Sequence, residues 1–567
     1  MAGAPARAVL HSLPPPLPAP ARYPHSMTTR RSLLKGALAS ALLPMTLEGA
    51  AHAAGVSARV HDGARAEPIS PYIYGSNEFG RMVGGEPSVV FDKRLRTPFR
   101  RLGGNLMTTY NWTNNTQNAG KDWYHANVLG LAEFLDIAPE QRAEPAAVIA
   151  KMHRNSLDCG AQSLVTLQLA GYVAADANGE VPESEHAPSA RFVPLRWSSD
   201  TAAFAPIDKT VCDMPQLIRR LVETYGQANT PTGIRAYSLD NEPGLWAETH
   251  PRIVLEPPTV KSLLERSIAA AKVIKTIDPH ALVFGPASWG VTEFQNFQHA
   301  PDWADYAHFG SFIAAYLDAF RVASDAFGAR LLDVLDVHWY PQSNLGDLLN
   351  TEDPAHAEAV LAGPRSLTEA GFAEDSWVIR ALPVSDKVEL ALPILPSLNR
   401  LIAKHYPGTL LGVTEFNFGG VGQLATGLAV ADVLGRFAQA NVAYACHWGP
   451  LDGQVGNAFA LYRDYDGKGG MFPPRRVRLD HDGRAELALY GGVAGTRLHV
   501  IAINRSTREL PLRLHLDQSY RTIAAYGFDA SRTRLGPLGE GPAHFDPFAM
   551  IALPARSARH FVLDRQG

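Results

Sequence analysis

The run Tyr237-Ser238-Leu239-Asp240-Asn241-Glu242-Pro243 has the residue types that acid–base chemistry uses: an apolar stretch, 234–239, breaks into two carboxylates, an amide and a proline. A second apolar stretch, 410–413, ends in Thr414-Glu415-Phe416-Asn417. Buried barrel strands deliver polar groups to their C-terminal mouth in this way. Two glutamates so placed suit cleavage of a glycosidic bond with retention of configuration. One protonates the leaving oxygen and the other attacks the sugar, the carboxyls lying about 5–5.5 Å apart. Either glutamate alone would read equally well as a cap on the helix after its strand. The pair, with its neighbours, favours the chemistry.

The neighbours are those of a sugar site. Asn105 closes the run Arg101-Leu102-Gly103-Gly104-Asn105, and Asn111, Trp112 and Trp123 follow it; Tyr172 comes after the next strand. His338-Trp339-Tyr340 and His447-Trp448 end two later strands. Aromatic faces stack on pyranose C–H surfaces, while Asn, His and Tyr bond hydroxyls. Trp112, Trp123, Tyr172, Trp339 and Trp448 are therefore candidate platforms. Asn105, Asn111, Asn241, His338 and Tyr340 are candidate hydrogen-bonding groups. The plainer reading makes the aromatics core residues or loop anchors.

Elements that could position these residues recur along the chain. Candidate strands are 72–74, 99–102, 164–169, 234–239, 282–284, 334–339, 410–414 and 442–446. Amphipathic helical stretches at 214–225, 260–277, 309–327 and 398–405 fall between them. Eight strand–helix units predict an α/β fold, a closed (β/α)8 TIM barrel. An open doubly wound sheet is the rival, but no Gly-rich phosphate fingerprint follows the first strand. From residue 471 the periodicity shortens to alternating segments such as 485–490 and 498–503, predicting a C-terminal antiparallel β-sandwich. The expected division is a leader at 1–53, a strand within 54–70 that joins the sandwich, the barrel at 71–470 and the sandwich at 471–567. The connection 341–395 is too long for a plain loop and is expected to rim the cleft.

The 567 residues carry a net charge of −4, with 46% hydrophobic and 19% charged residues, and these values give no sign of a nucleic-acid or membrane partner. Three cysteines, Cys159, Cys212 and Cys446, form neither a disulfide framework nor a metal-ligand spacing. Thr29-Arg30-Arg31-Ser32-Leu33-Leu34-Lys35 resembles a twin-arginine export signal, followed by an apolar run and Ala51-His52-Ala53, a cleavable small-x-small site. Residues 1–26, upstream of Met27, read as an extension without chemistry. The expected location is periplasmic or secreted.

The motifs together resemble glycoside hydrolase family 44, endo-β-1,4-glucanases and xyloglucanases. Matching runs include Gly103-Gly104-Asn105, Tyr110-Asn111-Trp112, Asn118-Ala119-Gly120-Lys121-Asp122-Trp123, Ala170-Gly171-Tyr172-Val173, Tyr237 through Pro243, His338-Trp339-Tyr340-Pro341 and Thr414-Glu415-Phe416-Asn417-Phe418-Gly419-Gly420. The resemblance implies a retaining endo-glucanase with Glu242 as acid/base and Glu415 as nucleophile. Partial burial and the nearby carboxylate should raise the pKa of Glu242, Tyr340 or a neighbour should stabilise ionised Glu415, and Asn241 should bond the 2-hydroxyl. Two positions depart from the family: Leu106 stands where Arg is expected and Thr113 where Glu is expected. Some members hold calcium near this loop, and the lost carboxylate weighs against it here. No cofactor or catalytic metal is expected, and the partner is a polysaccharide bound by a monomer. The alternatives are another exported barrel hydrolase acting on xylan, mannan or arabinan, and a non-catalytic polysaccharide-binding protein.

Overall fold

The computed structural model describes residues 55–566, apart from 82–84, 483–484, 540–542 and 547; the leader and export signal lie outside the described residues. Eight parallel strands close a barrel in chain order: Gly75–Asn77, Phe99–Leu102, Gln162–Leu167, Ala236–Leu239, Leu282–Ser288, Val334–Trp339, Leu410–Phe416 and Val442–His447. The ring is sealed where Cys446 and His447 pair with Gly75 and Ser76.

The first strand differs from its sequence reading. Residues 72–74 belong to a 3-10 turn, Pro71–Tyr74, and the strand begins at Gly75. Pro71 favours a turn start, and the Ser70 hydroxyl accepts from the Tyr72 N–H at 3.2 Å. Tyr72 then stacks on Tyr444 (5.2 Å between centroids) and tilts against Phe99, capping the barrel floor. Gly75 passes so close to the neighbouring strands that a Cβ would lie 2.4 Å from the Ala445 carbonyl oxygen. Phe99, Leu164, Ala236, Phe284, Val334 and Cys446 complete this lower layer, so the barrel is filled from below and its chemistry is confined to the top.

The outer helices follow local capping signals. Met214–Tyr225 starts where the Asp213 carboxylate accepts from the Gln216 N–H at 3.0 Å. Val260–Ile277 starts at Thr259 in the same manner. The helix expected from residue 309 begins at Phe312, because Gly310 turns left-handed (φ 80°) and Ser311 supplies the cap. Among the described residues no helix is long and apolar enough to cross a membrane.

Strand Val56–His61 runs antiparallel to Arg475–His481 and parallel to Leu510–Leu516, joining the N-terminal segment to the C-terminal sheet. That sheet folds around its own core of Val56, Val60, Leu498, Leu512, Leu514 and Phe561. The barrel helix Leu424–Gln439 meets this sheet through Asp432, whose carboxylate accepts from Arg436, Arg505 and Tyr490. The 341–395 connection folds into short helices and returns to the seventh strand's end, where the Asn417 amide donates to Asn350 Oδ1 at 2.9 Å.

Candidate active site

The fourth strand ends in a turn that residues other than glycine seldom make: Asp240 and Glu242 both sit in the left-handed region, with φ 66° and 44°. Such backbone costs about 1–3 kcal/mol per residue and persists only where the surroundings fix it. They do so here. The buried Asp240 carboxylate accepts from Thr108 Oγ1 (2.7 Å), the Leu169 N–H (2.5 Å) and the Asn241 N–H (2.8 Å). The Glu242 N–H donates to the Ala287 carbonyl at 3.0 Å, tying the turn to the end of the fifth strand. Burial raises Asp240 to about 7 in spite of these donors.

The turn aims Glu242 at Glu415, which the seventh strand delivers from across the barrel. One carboxylate oxygen of each, together with a ring nitrogen of His338, lie within 4.8 Å of one another. Their surroundings differ. The Glu415 side chain is 5% exposed; Arg101 donates to its Oε1 at 2.6 Å and Tyr340 to its Oε2 at 2.6 Å. Glu242 is 14% exposed, and its Oε1 lies 2.7 Å from His338 Nδ1. Burial depresses His338 to about 3, so its ring is neutral; Nε2 has no partner among the described residues, and the Nδ1–H tautomer is the one that gives the ring's hydrogen an acceptor, Glu242 Oε1. Burial, then the charges of Glu415 and Glu242, push the Tyr340 phenol well above its ordinary value, keeping it a donor. Burial alone would lower Arg101, but Glu415 and Asp336 hold it raised. Asp336, lifted to about 7 by burial, accepts from Thr414 Oγ1 at 2.8 Å just below this pair.

Arg101 organises the floor of the site. It bonds Glu415, Asn77 Oδ1 (3.0 Å) and Asn241 Oδ1 (2.7 Å), which turns the Asn241 amide nitrogen toward Asn105 Oδ1, 3.4 Å away. Its role was missed in the sequence, although a signal existed. Phe99–Leu102 is a fully buried strand holding two arginines, and strand alternation sends them to opposite faces. Arg100 points outward to Glu78 (2.7 Å) and Asp92 (2.8 Å), and Arg101 points inward. A buried arginine demands a buried carboxylate.

The other candidates divide between mouth and core. Asn105 stands at the mouth, bonded to Asp122 Oδ2 at 3.2 Å, with half-buried Trp123 and its edge-on neighbour Tyr124 beyond it. Trp448 is half-buried at the end of the eighth strand, packed over Gly104 and edge-on to Phe79. Tyr172 is half-buried in a short added strand, Tyr172–Ala174. Trp112 is 0% exposed, with Nε1 donating to the Asp213 carbonyl at 3.1 Å, so it anchors the loop instead of stacking on sugar. Asn111 is likewise consumed: its amide donates to the Ala174 carbonyl, and its Oδ1 accepts from the N–H and hydroxyl of Thr113. Trp339 is 4% exposed and faces Phe294 in the helix layer, because alternation sends it outward between inward-facing His338 and Tyr340. His338, expected to touch sugar, instead supports Glu242.

The 111–116 loop, where the family resemblance raised calcium, spends its side-chain oxygens on its own donors. Thr113 supplies no carboxylate, and the Asn111 and Asn114 side-chain oxygens are already taken by N–H and hydroxyl donors.

Residues 116–343 match the description of glycoside hydrolase family 44. The chain is 38% identical over 509 residues to a β-mannanase/endoglucanase A of Caldicellulosiruptor saccharolyticus, covering 85% of this chain; it spans only 37% of that protein's length. It is 35% identical over 552 residues to endoglucanase A of Paenibacillus lautus, covering 94% of this chain and 76% of the other. Among solved structures, a family 44 xyloglucanase of Paenibacillus polymyxa with xyloglucan superposes with a TM-score of 0.82 at 35% identity, over 90% of this chain and all of that one.

Proposed function

Because the chain belongs to glycoside hydrolase family 44, we propose that it cleaves β-1,4-glucan backbones internally and with retention, using Glu242 as acid/base and Glu415 as nucleophile. It is a glycoside hydrolase; the proposal adds its substrate, stereochemistry and residue roles. The observation that carries it is the pair of carboxylates at the mouth, within 4.8 Å and differently partnered. Oxygens of the two carboxylates that approach within 4.8 Å suit direct attack by Glu415, as expected of a retaining pair whose carboxyls lie about 5–5.5 Å apart.

In the first step a Glu415 oxygen bonds to the anomeric carbon while Glu242 gives its proton to the departing glycosidic oxygen, and the C–O bond breaks. In the second, water attacks the same carbon, Glu242 takes its proton and the bond to Glu415 breaks. The His338 Nδ1–H occupies Glu242 Oε1, which assigns the transferred proton to Oε2. Tyr340 and Arg101 hold Glu415 by its two oxygens, so one of these bonds is exchanged for the bond to sugar. The Asn241 amide, oriented by Arg101, is the donor for the 2-hydroxyl. No cofactor enters these steps.

Cellulose-type glucan and xyloglucan are the favoured substrates, after the names of the Paenibacillus relatives. Mannan is the second reading, after the Caldicellulosiruptor protein. Trp123, Tyr172 and Trp448 follow the second, third and eighth strands, which lie along one arc of the ring, and aromatics spread along a rim favour a groove over a single pocket. Internal cleavage should collapse the viscosity of carboxymethyl-cellulose or xyloglucan before many reducing ends form; a fall only in step with released mono- or disaccharide contradicts it. External azide should rescue Glu242→Ala on a substrate with a good leaving group, and Glu415→Gln should bind polysaccharide without turning it over. Export by the twin-arginine route is part of this reading, and changing Arg30 and Arg31 to Lys should strand the precursor in the cytoplasm.

A further inference from the structure

Glu293 carries a carboxyl group that has no part in the steps above. It lies in the first turn of Val291–Asn296, after the fifth strand, and is fully buried. Its Oε1 accepts from Ser288 Oγ at 3.1 Å and its Oε2 from the Trp289 N–H at 3.2 Å. The same carboxyl lies against Gly244, two residues beyond Glu242: a Cβ there would meet Oε2 at 2.9 Å and Cδ at 3.0 Å. The Gly244 amide also favours the charged form of this carboxyl, against its burial. Glycine at 244 thus makes room for this carboxyl, which braces the far side of the turn whose near side is tied by Glu242 N–H to Ala287.

The titratable groups facing Glu293 are Glu242 across the turn and Tyr316 from the helix Phe312–Phe327. On the side of Val378–Ala381 the neighbour is Gln295, which bonds the Ala381 carbonyl. Burial, assisted by the charge of Glu242, lifts Glu293 to about 8. Around neutral pH it is a neutral acid, and it braces the turn without placing a second negative charge beside Glu242.

We propose that Glu293 is a positioning residue that holds the Glu242 turn for proton transfer to the leaving group. This rests on the acid/base reading of Glu242, and the test separates the two. Two aryl β-cello-oligosaccharides with the same glycosyl part would be compared, one leaving as 2,4-dinitrophenolate, which needs no proton, and one as phenolate, which does. The ratio of their kcat/KM values is independent of how much of a variant folds. In Glu242→Ala the ratio must swing toward the dinitrophenyl substrate; if it does not, the reading beneath the proposal falls and the proposal with it. Glu293→Met, similar in size but unable to bond Ser288 or Trp289, is expected to shift the ratio in the same direction by about tenfold. Glu293→Gln, a neutral mimic, should stay within about twofold of the parent. An unchanged ratio in Glu293→Met while Glu242→Ala responds, or a Gln variant as impaired as Met, overturns the proposal.

Discussion

Replacing Glu293 by Gln should make the barrel more resistant to unfolding as pH rises, by an amount fixed by the burial of this carboxyl. An ordinary glutamate titrates near 4.5, and folded Glu293 titrates at about 8. A group whose folded value is raised contributes stability that is fully present below the unfolded value and is lost as pH climbs through the folded one. Each pH unit between these limits therefore costs the parent about 1.4 kcal/mol, or about 3 kcal/mol from pH 4.5 to pH 7. Gln at this position does not titrate. Asp240 and Asp336, both lifted to about 7, impose their own pH dependence, but it is common to both proteins and cancels in the difference. All nine tryptophans lie between Trp112 and Trp448, so their fluorescence follows the barrel alone during urea unfolding. The stability of Glu293→Gln minus that of the parent should climb over this range and level off above about pH 8. Parallel stability curves would refute the reasoning, since they would mean that Glu293 ionises in the folded protein as it does in the unfolded one.

Arg101→Met should remove the guanidinium from Glu415, Asn77 and Asn241 together; breaking a buried pair in this way costs about 3–5 kcal/mol, read by thermal or urea unfolding, and kcat should fall far more than KM rises. Trp112→Phe and Trp448→Ala should separate core from site. The first loses the bond to the Asp213 carbonyl and about 1–3 kcal/mol of stability with KM unchanged. The second should raise KM for polysaccharide with little change in unfolding, as kinetics on a soluble glucan would register.

The strand ends were the most legible part of the chain, since an apolar run that breaks into Asp-Asn-Glu or Thr-Glu leaves a strong pattern. Val334–Trp339 and Phe99–Leu102 were read to the residue. The first strand was not, because Gly75–Asn77 is only three residues long and has no apolar signature, while the tyrosines before it mimic one. Within the site, pattern separated inward from outward poorly. Trp339 and His338 are neighbours in sequence, yet one faces the helix layer and the other the cleft. Trp112 looked like a platform because its type is right, and only the Asp213 carbonyl shows it to be an anchor. Arg101 and Asp336 act through partners more than 50 residues away in sequence, and Glu293 lies against a turn set by Gly244 far earlier in the chain, relations that local spacing does not encode.

A covalent bond between Glu415 and sugar is the central step of the double displacement. A 2-deoxy-2-fluoro cello-oligosaccharide with a good leaving group slows both steps, the second more, and should leave one glycosyl unit attached to the enzyme. Peptide mapping by mass spectrometry is expected to place that unit on Glu415 and to find none in Glu415→Gln. Attachment to another residue, or turnover of the natural glucan with inversion and no attachment at all, would contradict the double displacement and the roles assigned to both glutamates.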